Sequence, residues 1–174
     1  LHPDPTSCET AVTVLDKTLI ETIAASPLAT QLTKDQVAVL AGVVRIEAFP
    51  ARAVLAPEGS SDNHLYVIID GTLSVARQPG SPEEEVLVTL GPGDFAHELG
   101  FLDGAVRHAA LVAATDVRVL VLERQGLESL LDQHPRVVYG VMCSIIRVVH
   151  RIQARLSMQT GELTNYIVKQ HGRY

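Results

Sequence analysis

Short apolar runs separated by turn residues constrain the fold of this chain more than any other feature. Between residues 43 and 123 they recur about every 8–12 residues, a spacing typical of antiparallel β-sandwiches and barrels. Turn signals such as Asp70-Gly71 and Gly91-Pro92-Gly93-Asp94 separate them. The run Leu65–Ile69 lacks alternation, which predicts a strand covered on both faces. The first predicted strand follows Gly42, where Val44, Ile46 and Ala48 alternate with other residues. The later predicted strands are Ala53–Ala56, Leu65–Asp70, Thr72–Arg77, Val86–Leu90, Ala109–Ala114 and Val117–Leu122.

Helical patterns lie on both sides of the strand region. A helix opening at Asp16 is predicted to end at Ser26-Pro27, because the residue before proline avoids the helical region. A second is predicted over Lys34–Ala41, with Thr33 and Gln36 spaced as in a capping box. A short helical stretch, Arg124–Asp132, follows the strands. The fold class is therefore α+β.

The last predicted helix is long, from Arg136 to about Gln170. Such a helix would reach about 50 Å, too far for one small barrel to cover. Its apolar residues follow a coiled-coil spacing, which predicts a homodimer along this helix. The predicted seam residues are Val138, Val141, Ile145, Val148 and Ile152, continued by Leu156, Leu163 and Ile167.

Composition excludes several classes of protein. The 174 residues are 47% hydrophobic and 20% charged, which is ordinary for a globular domain and excludes a disordered or collagen-like chain. The sequence has no run of about 18 uncharged apolar residues that would span a membrane. The net charge of −6 argues against nucleic-acid binding. Cys8 and Cys143 lie far apart without metal-ligand spacing, which predicts reduced thiols and a cytoplasmic location.

Residues 93–110 carry the polar groups that suit a binding site. A short helical run, Glu98–Leu102, begins directly after a turn, and the N–H groups and positive dipole end of a helix N-terminus attract anions. Arg107 follows where the chain re-enters the sheet and could fork onto a phosphate, while Glu98 could accept hydrogen bonds from a sugar hydroxyl. His97 and His108 flank the segment and could donate to a phosphate when protonated. Their spacing matches no metal-site type, so no metal is predicted.

This segment resembles the phosphate-binding cassette of the cyclic-nucleotide-binding domain family. The family pattern runs Phe-Gly-Glu-Leu/Met-Ala-Leu, then a short loop, then Pro-Arg-Ser/Thr/Ala-Ala. The resemblance covers roughly residues 19–163 and implies an antiparallel jelly-roll barrel with N-terminal helices and a long C-terminal dimerisation helix. The matching segments are Ser26-Pro27-Leu28, Leu32-Thr33, Ala53-Val54-Leu55, Glu58-Gly59, Leu65-Tyr66-Val67-Ile68, Asp70-Gly71, Gly91-Pro92-Gly93-Asp94, Ala96-His97-Glu98-Leu99-Gly100-Phe101, Val106-Arg107-His108-Ala109 and His134-Pro135.

The resemblance also implies roles for individual residues. Glu98 would hold the ribose 2′-hydroxyl, Arg107 the cyclic phosphate, and backbone N–H groups around Glu98, Leu99 and Ala109 would complete the cradle. Three positions depart from the family pattern: His97 replaces glycine, Val106 replaces proline, and His108 replaces a small or hydroxyl residue. His97 either blocks the phosphate or replaces a glycine contact. The expected ligand-binding residues are therefore His97, Glu98, Leu99, Arg107, His108 and Ala109.

These expectations lead to one expected function and two alternative functions. The chain is expected to be a non-enzymatic sensor that binds a cyclic nucleotide, cyclic AMP first, without a further cofactor, and signals through its C-terminal helix. The sequence shows no hydrolase, phosphate-loop or zinc-protease motif, and no helix-turn-helix for DNA readout by this chain. Two alternatives stay open: a silent cassette in a protein-interaction module, and the sensory half of a transcription regulator. The expected divisions are an N-terminal helical segment, 1–42, a jelly roll, 43–123, with the cassette at 93–110, and C-terminal helices, 124–174.

Overall fold

The computed structural model describes residues 17–151 and residue 154. Within them the chain forms antiparallel strands with helices before, between and after them. Residues 17–25 form helix α1 and residues 135–151 belong to the last helix, α5. The 3-10 turn Pro27–Ala29 follows α1. The other elements are α2 (Lys34–Ala41), β1 (Val44–Phe49), β2 (Val54–Ala56), β3 (His64–Asp70), β4 (Leu73–Arg77), β5 (Glu85–Leu90), β6 (Phe95–Ala96), α3 (Glu98–Asp103), β7 (Ala110–Ala113), β8 (Val117–Glu123) and α4 (Arg124–Glu128).

The strands form two four-stranded antiparallel sheets. Sheet A has the order β1-β8-β3-β6, and sheet B has the order β2-β7-β4-β5. The central pairing of sheet A places Tyr66 of β3 opposite Val121 of β8. Sheet B places Val75 of β4 opposite Leu111 of β7. The predicted antiparallel β architecture with flanking helices is confirmed.

The central strand β3 is buried on both faces from Leu65 to Ile68, as predicted for Leu65–Ile69, and Ile69 is partly buried. One face, with Leu65 and Val67 of β3, packs against the helices. The other face, with Tyr66 and Ile68, packs against residues of sheet B such as Leu111. Burial on both faces explains why the run reads as continuously apolar instead of alternating.

Among the described residues, the predicted helix boundaries agree with the structure to within one residue except at the end of α4. Thr33 and Gln36 form the predicted capping box of α2, with each side chain bonded to the other residue's backbone N–H. α4 ends at Glu128, four residues before the predicted end at Asp132. Helix α5 begins at Pro135, where a proline suits the first turn of a helix.

The predicted dimer seam on α5 instead packs against the rest of the same chain. Val141 and Ile145 are fully buried and Val148 is 6% exposed, all within the core shared by the helices and sheet A. Val138 is partly buried against the same core. Ile152, Leu156, Leu163 and Ile167 lie outside the described residues. The seam assignment is therefore wrong for Val141, Ile145 and Val148, because a 3-4 spacing fits a helix facing its own core as well as one facing a partner.

None of the helices among the described residues is both long enough and apolar enough to cross a membrane.

Candidate functional site

The expected site residues lie in one segment, 97–109, which connects sheet A to sheet B. The segment begins where β6 ends, and there Ala96 is paired with Tyr66 of β3. It continues through α3 and ends at the start of β7, Ala110. The chain thus passes from one sheet to the other beside Tyr66, whose pKa is raised to about 12 by burial.

Arg107 is buried rather than exposed in its loop. Its side chain is 6% exposed, and its Nη2 donates to Oδ1 of Asp62 at 2.8 Å. The guanidinium carbon lies 5.8 Å from the centre of the Tyr66 ring, within the range of a cation–π contact. Its Nε is buried and has no hydrogen-bond partner in the part of the chain that the structure describes. A buried cation with a spare donor is an unusual arrangement, because unmade hydrogen bonds in the interior are costly.

His97 occupies a backbone conformation that favours glycine. Its φ of 68° lies in the left-handed region, directly before α3. Its side chain is 8% exposed, and Nδ1 lies 3.0 Å from Oδ1 of Asp62 and 3.2 Å from the carbonyl oxygen of His64. Both neighbours only accept hydrogen bonds when Asp62 is ionised, so Nδ1 carries a proton and donates. The imidazole is therefore nearly covered and engaged with the protein itself.

Gly100 makes room for the His97 ring. A side chain at Gly100 would collide with the imidazole, whose Nε2 faces that position. The family cassette has glycine at the position of His97 and alanine at the position of Gly100, so this chain has a larger residue at the first position and a smaller one at the second. The sequence contained this signal, and only the fold shows that the two positions touch. The histidine is thus accommodated by a compensating residue.

Asp62 is the site residue that sequence reasoning missed. It lies in the loop between β2 and β3, and one oxygen, Oδ1, accepts from both His97 and Arg107. Burial alone would raise its pKa, but the hydrogen bonds and charges of His97 and Arg107 prevail and lower it to about 2. Asp62 is therefore ionised throughout the physiological pH range. Its partners lie 35 and 45 residues away along the chain, so no local motif pointed to it.

Glu98 is the first residue of α3 and is half-buried. Burial raises the pKa of its carboxyl group, against a smaller lowering by a hydrogen bond from its own backbone. α3 has only six residues, so its dipole contributes less than a full helix would. Recognition of an anion in this segment therefore depends mainly on the charge of Arg107.

The remaining expected residues lie in α3 and in the loop that follows it. Leu99 lies in the first turn of α3, and Ala109 is half-buried just before β7. His108 and Val106 are exposed in the loop between them. The two histidines are thus not equivalent, because His97 is bonded inside the fold and His108 faces solvent. Within the described residues no group of three histidine, cysteine, aspartate or glutamate side chains could hold a metal ion.

Two surface cavities lie away from this segment. One of about 470 Å³ lies between α2 and the start of α5, lined by residues such as Gln36 and Val137. The other, of about 290 Å³, lies on sheet B beside Arg52. His97, Glu98 and Arg107 line neither cavity. The chemistry of the cassette marks the candidate site.

Comparison with known proteins agrees with the fold. Residues 46–134, just over half of the chain, match the family model of the cyclic nucleotide-binding domain. A CRP-like cAMP-activated global transcriptional regulator of Mycobacterium tuberculosis is 27% identical over 109 residues, which are 63% of this chain and 49% of the regulator. This chain thus spans about half the length of that relative.

Solved structures show the same fold. A cyclic nucleotide-binding domain from Methylobacillus flagellatus superposes with a TM-score of 0.69 at 22% identity, covering 87% of this chain and 85% of that one. The regulatory subunit of a cAMP-independent protein kinase A from Trypanosoma brucei superposes with a TM-score of 0.63 at 23% identity, covering 83% of this chain and 49% of the subunit. One architecture therefore occurs in a protein named for nucleotide binding and in one named as independent of cAMP.

Proposed function

Because the chain belongs to the cyclic nucleotide-binding domain family, we propose that it is a non-enzymatic sensor domain that binds a cyclic nucleotide, cyclic AMP first. Arg107 would hold the cyclic phosphate and Glu98 a ribose hydroxyl. N–H groups at Glu98, Leu99 and Ala109 would complete the cradle.

One observation carries this proposal: the buried guanidinium of Arg107 has an unpartnered Nε. The contact with Asp62 uses Nη2 of the guanidinium and leaves Nε as a donor for another acceptor. A phosphate accepts several hydrogen bonds and matches the planar fork of arginine.

The sensor would report binding through the last helix. Binding alters the helix only if the ligand has different affinities for two arrangements of the chain. Buried residues of α5, such as Val141 and Ile145, share one core with Phe101 of α3, which gives a packed route between the cassette and α5.

The test is a calorimetric titration with cyclic AMP and cyclic GMP, with adenosine as the control that lacks phosphate. We expect cyclic AMP to bind and to stabilise the fold by about 2.7 kcal/mol at 100 times its dissociation constant. Adenosine should bind far more weakly. No heat and no change in melting temperature with millimolar cyclic nucleotide would refute the proposal and leave the alternative below.

The alternative is an interaction module whose cassette is silent. It is favoured by the ion pair that already engages Arg107 with Asp62. The same titration separates the two functions, because a silent module responds to neither cyclic nucleotide.

We further propose that the protein is a homodimer, through the outward face of α5 rather than the seam first predicted. Tyr139 and Ile146 are 73% and 47% exposed and lie seven residues apart, on the same side of the helix. Ile146→Lys should give a folded monomer in sedimentation, whereas Ile145→Lys should unfold the chain because Ile145 is fully buried. A wild-type protein that sediments as a monomer at micromolar concentration contradicts the dimer.

A further inference from the structure

Asp62 binds the guanidinium of Arg107, which is also the group that would bind the phosphate of the proposed ligand. Its Oδ1 accepts from Nη2 of Arg107 at 2.8 Å and from His97 at 3.0 Å. The carboxylate is 21% exposed, so solvent reaches one side of it while Arg107 is covered. In this arrangement an anion already lies against the only arginine of the cassette segment.

The loop that carries Asp62 is fixed to the chain at Arg107. The backbone N–H of Gly59 donates to the carbonyl of Arg107, and the N–H of Arg107 donates to the carbonyl of Ser60, both at 2.9 Å. The two backbones therefore stay together. Exchange of Asp62 for another anion requires only rotation of its short side chain, which has two torsions, and not movement of the loop.

The charges of the site do not favour an anion while Asp62 remains in place. Arg107 contributes one positive charge and the ionised Asp62 cancels it. Glu98 adds an acidic group, and the Nδ1–H of His97 is directed at Asp62 and at the carbonyl of His64. A cyclic phosphate carries one negative charge, so it would meet the Asp62 carboxylate beside its own binding group. Like charges placed next to each other weaken binding.

We propose that Asp62 is a built-in competitor for the ligand: its carboxylate occupies Arg107 in the free protein, the ligand phosphate takes its place, and His97 keeps Asp62 through Nδ1–H. This inference rests on the proposed function and deepens it. Asp62 sets the affinity of the site and thereby the ligand concentration to which the sensor responds. His97 has a role that glycine could not fill, since its side chain already donates to Asp62 and would remain as a donor once Arg107 is released.

The experiment replaces Asp62 with asparagine, which keeps the shape and an acceptor oxygen but removes the charge. Cyclic AMP should bind Asp62→Asn at least about tenfold more tightly than wild type, because the competing charge is absent. Binding of adenosine should not change, because it has no phosphate. Asp70→Asn is the matched control, since Asp70 is an exposed carboxylate with a 4.0 Å contact to Arg118. Asp62→Ser replaces Asp62→Asn if the latter does not fold.

Inorganic phosphate gives a second probe that separates this inference from the proposed function. Its binding is followed by the amide chemical shifts of residues 105–110 in wild type and in Asp62→Asn. If wild type binds cyclic AMP and Asp62→Asn binds it no more tightly, the competitor role is overturned and the sensor function stands. If neither binds cyclic AMP but Asp62→Asn binds phosphate more tightly, the sensor function fails and the competitor role stands. If neither protein responds to either probe, both are overturned.

Discussion

An arginine is linked to each end of α3, one through the Asp62 side chain and the other directly to the helix backbone. Arg107 follows α3 in the sequence, but it is linked to the N-terminal end of the helix. It donates to Asp62, and Asp62 also contacts His97, the residue directly before α3. Arg124, at the start of α4, donates from Nε to the carbonyl of Phe101 at 2.5 Å and from Nη2 to the carbonyl of Gly100 at 2.8 Å. The first is held by a side chain and the second by the helix backbone.

The difference separates a contact that can be exchanged from one that cannot. A carboxylate side chain can rotate away and be replaced by a phosphate, which accepts the same hydrogen bonds. The carbonyls of Gly100 and Phe101 belong to α3 and stay in place as long as the helix remains folded. Arg124 thus supplies a donor to the carbonyl of Phe101 and a further donor to that of Gly100, which also accepts from the N–H of Gly104. We interpret the N-terminal side as the ligand end and the C-terminal side as the support.

The largest expected effect comes from breaking the ligand end with Arg107→Ala. Loss of a charge-assisted contact to a phosphate costs on the order of 2–5 kcal/mol, so cyclic AMP binding should weaken at least about 30-fold. Arg107→Lys should recover part of this affinity, because an ammonium keeps the charge without the planar fork. Calorimetry measures both. Binding of Arg107→Ala at the wild-type affinity would contradict a phosphate site here.

Arg107→Ala should also destabilise the free protein. If Arg107 were an exposed loop residue, its removal would leave folding almost untouched. The burial of its side chain, 6% exposed, overturns that expectation, because Asp62 would keep its charge without a cationic partner. We expect a loss of about 1–3 kcal/mol in urea unfolding at pH 7.

At the C-terminal end of α3, a substitution of Arg124 should lower stability while leaving ligand affinity almost unchanged. Arg124→Met removes two charged donors, and we expect it to lower stability by about 2 kcal/mol, or the melting temperature by about 4–8 °C. Affinity for cyclic AMP should change by less than about threefold if α3 remains folded. Arg118→Met is the control, because Arg118 is exposed and its ion pair with Asp70 contributes little. Equal melting temperatures for the two variants would refute the support role.

The sequence does not show which end of α3 would bind the ligand and which end supports the helix, although it predicts the strands around them. The predicted strand Val117–Leu122 agrees with β8 to within one residue, because turn residues and apolar runs are local signals. The Asp62–Arg107 pair depends on how the loop after β2 meets the end of the cassette, which only tertiary pairing fixes. The same limit applies to β5, whose apolar Val86, Leu87 and Val88 are about half exposed at a sheet edge. The sequence pattern predicts where a strand lies, and the residues packed around it determine how much of it is buried.

The smallest expected effect tests whether the ligand end is tuned for binding at the expense of stability. Glu98 has a raised pKa because it is half-buried, so its ionised form is disfavoured in the folded state. A carboxyl with a raised folded pKa contributes relative stability below its unfolded pKa and loses it as pH rises through the folded pKa. At pH 7 the charge is therefore a cost, and Glu98→Gln should raise the melting temperature by about 1–3 °C while weakening cyclic AMP binding.

The pH dependence identifies the cause of that gain. The advantage of Glu98→Gln over wild type should shrink as pH falls towards about 4.3, where an unfolded glutamate becomes protonated. Asp62 does not interfere in this window, because its pKa of about 2 keeps it ionised. Glu128→Gln on α4, which removes an exposed carboxylate, should show no such trend. Thermal melts from pH 7 to pH 4.5 measure all three proteins. A Glu98→Gln variant that is less stable than wild type at pH 7 would show instead that the ionised carboxylate supports the start of α3, and the two ends would then both be structural.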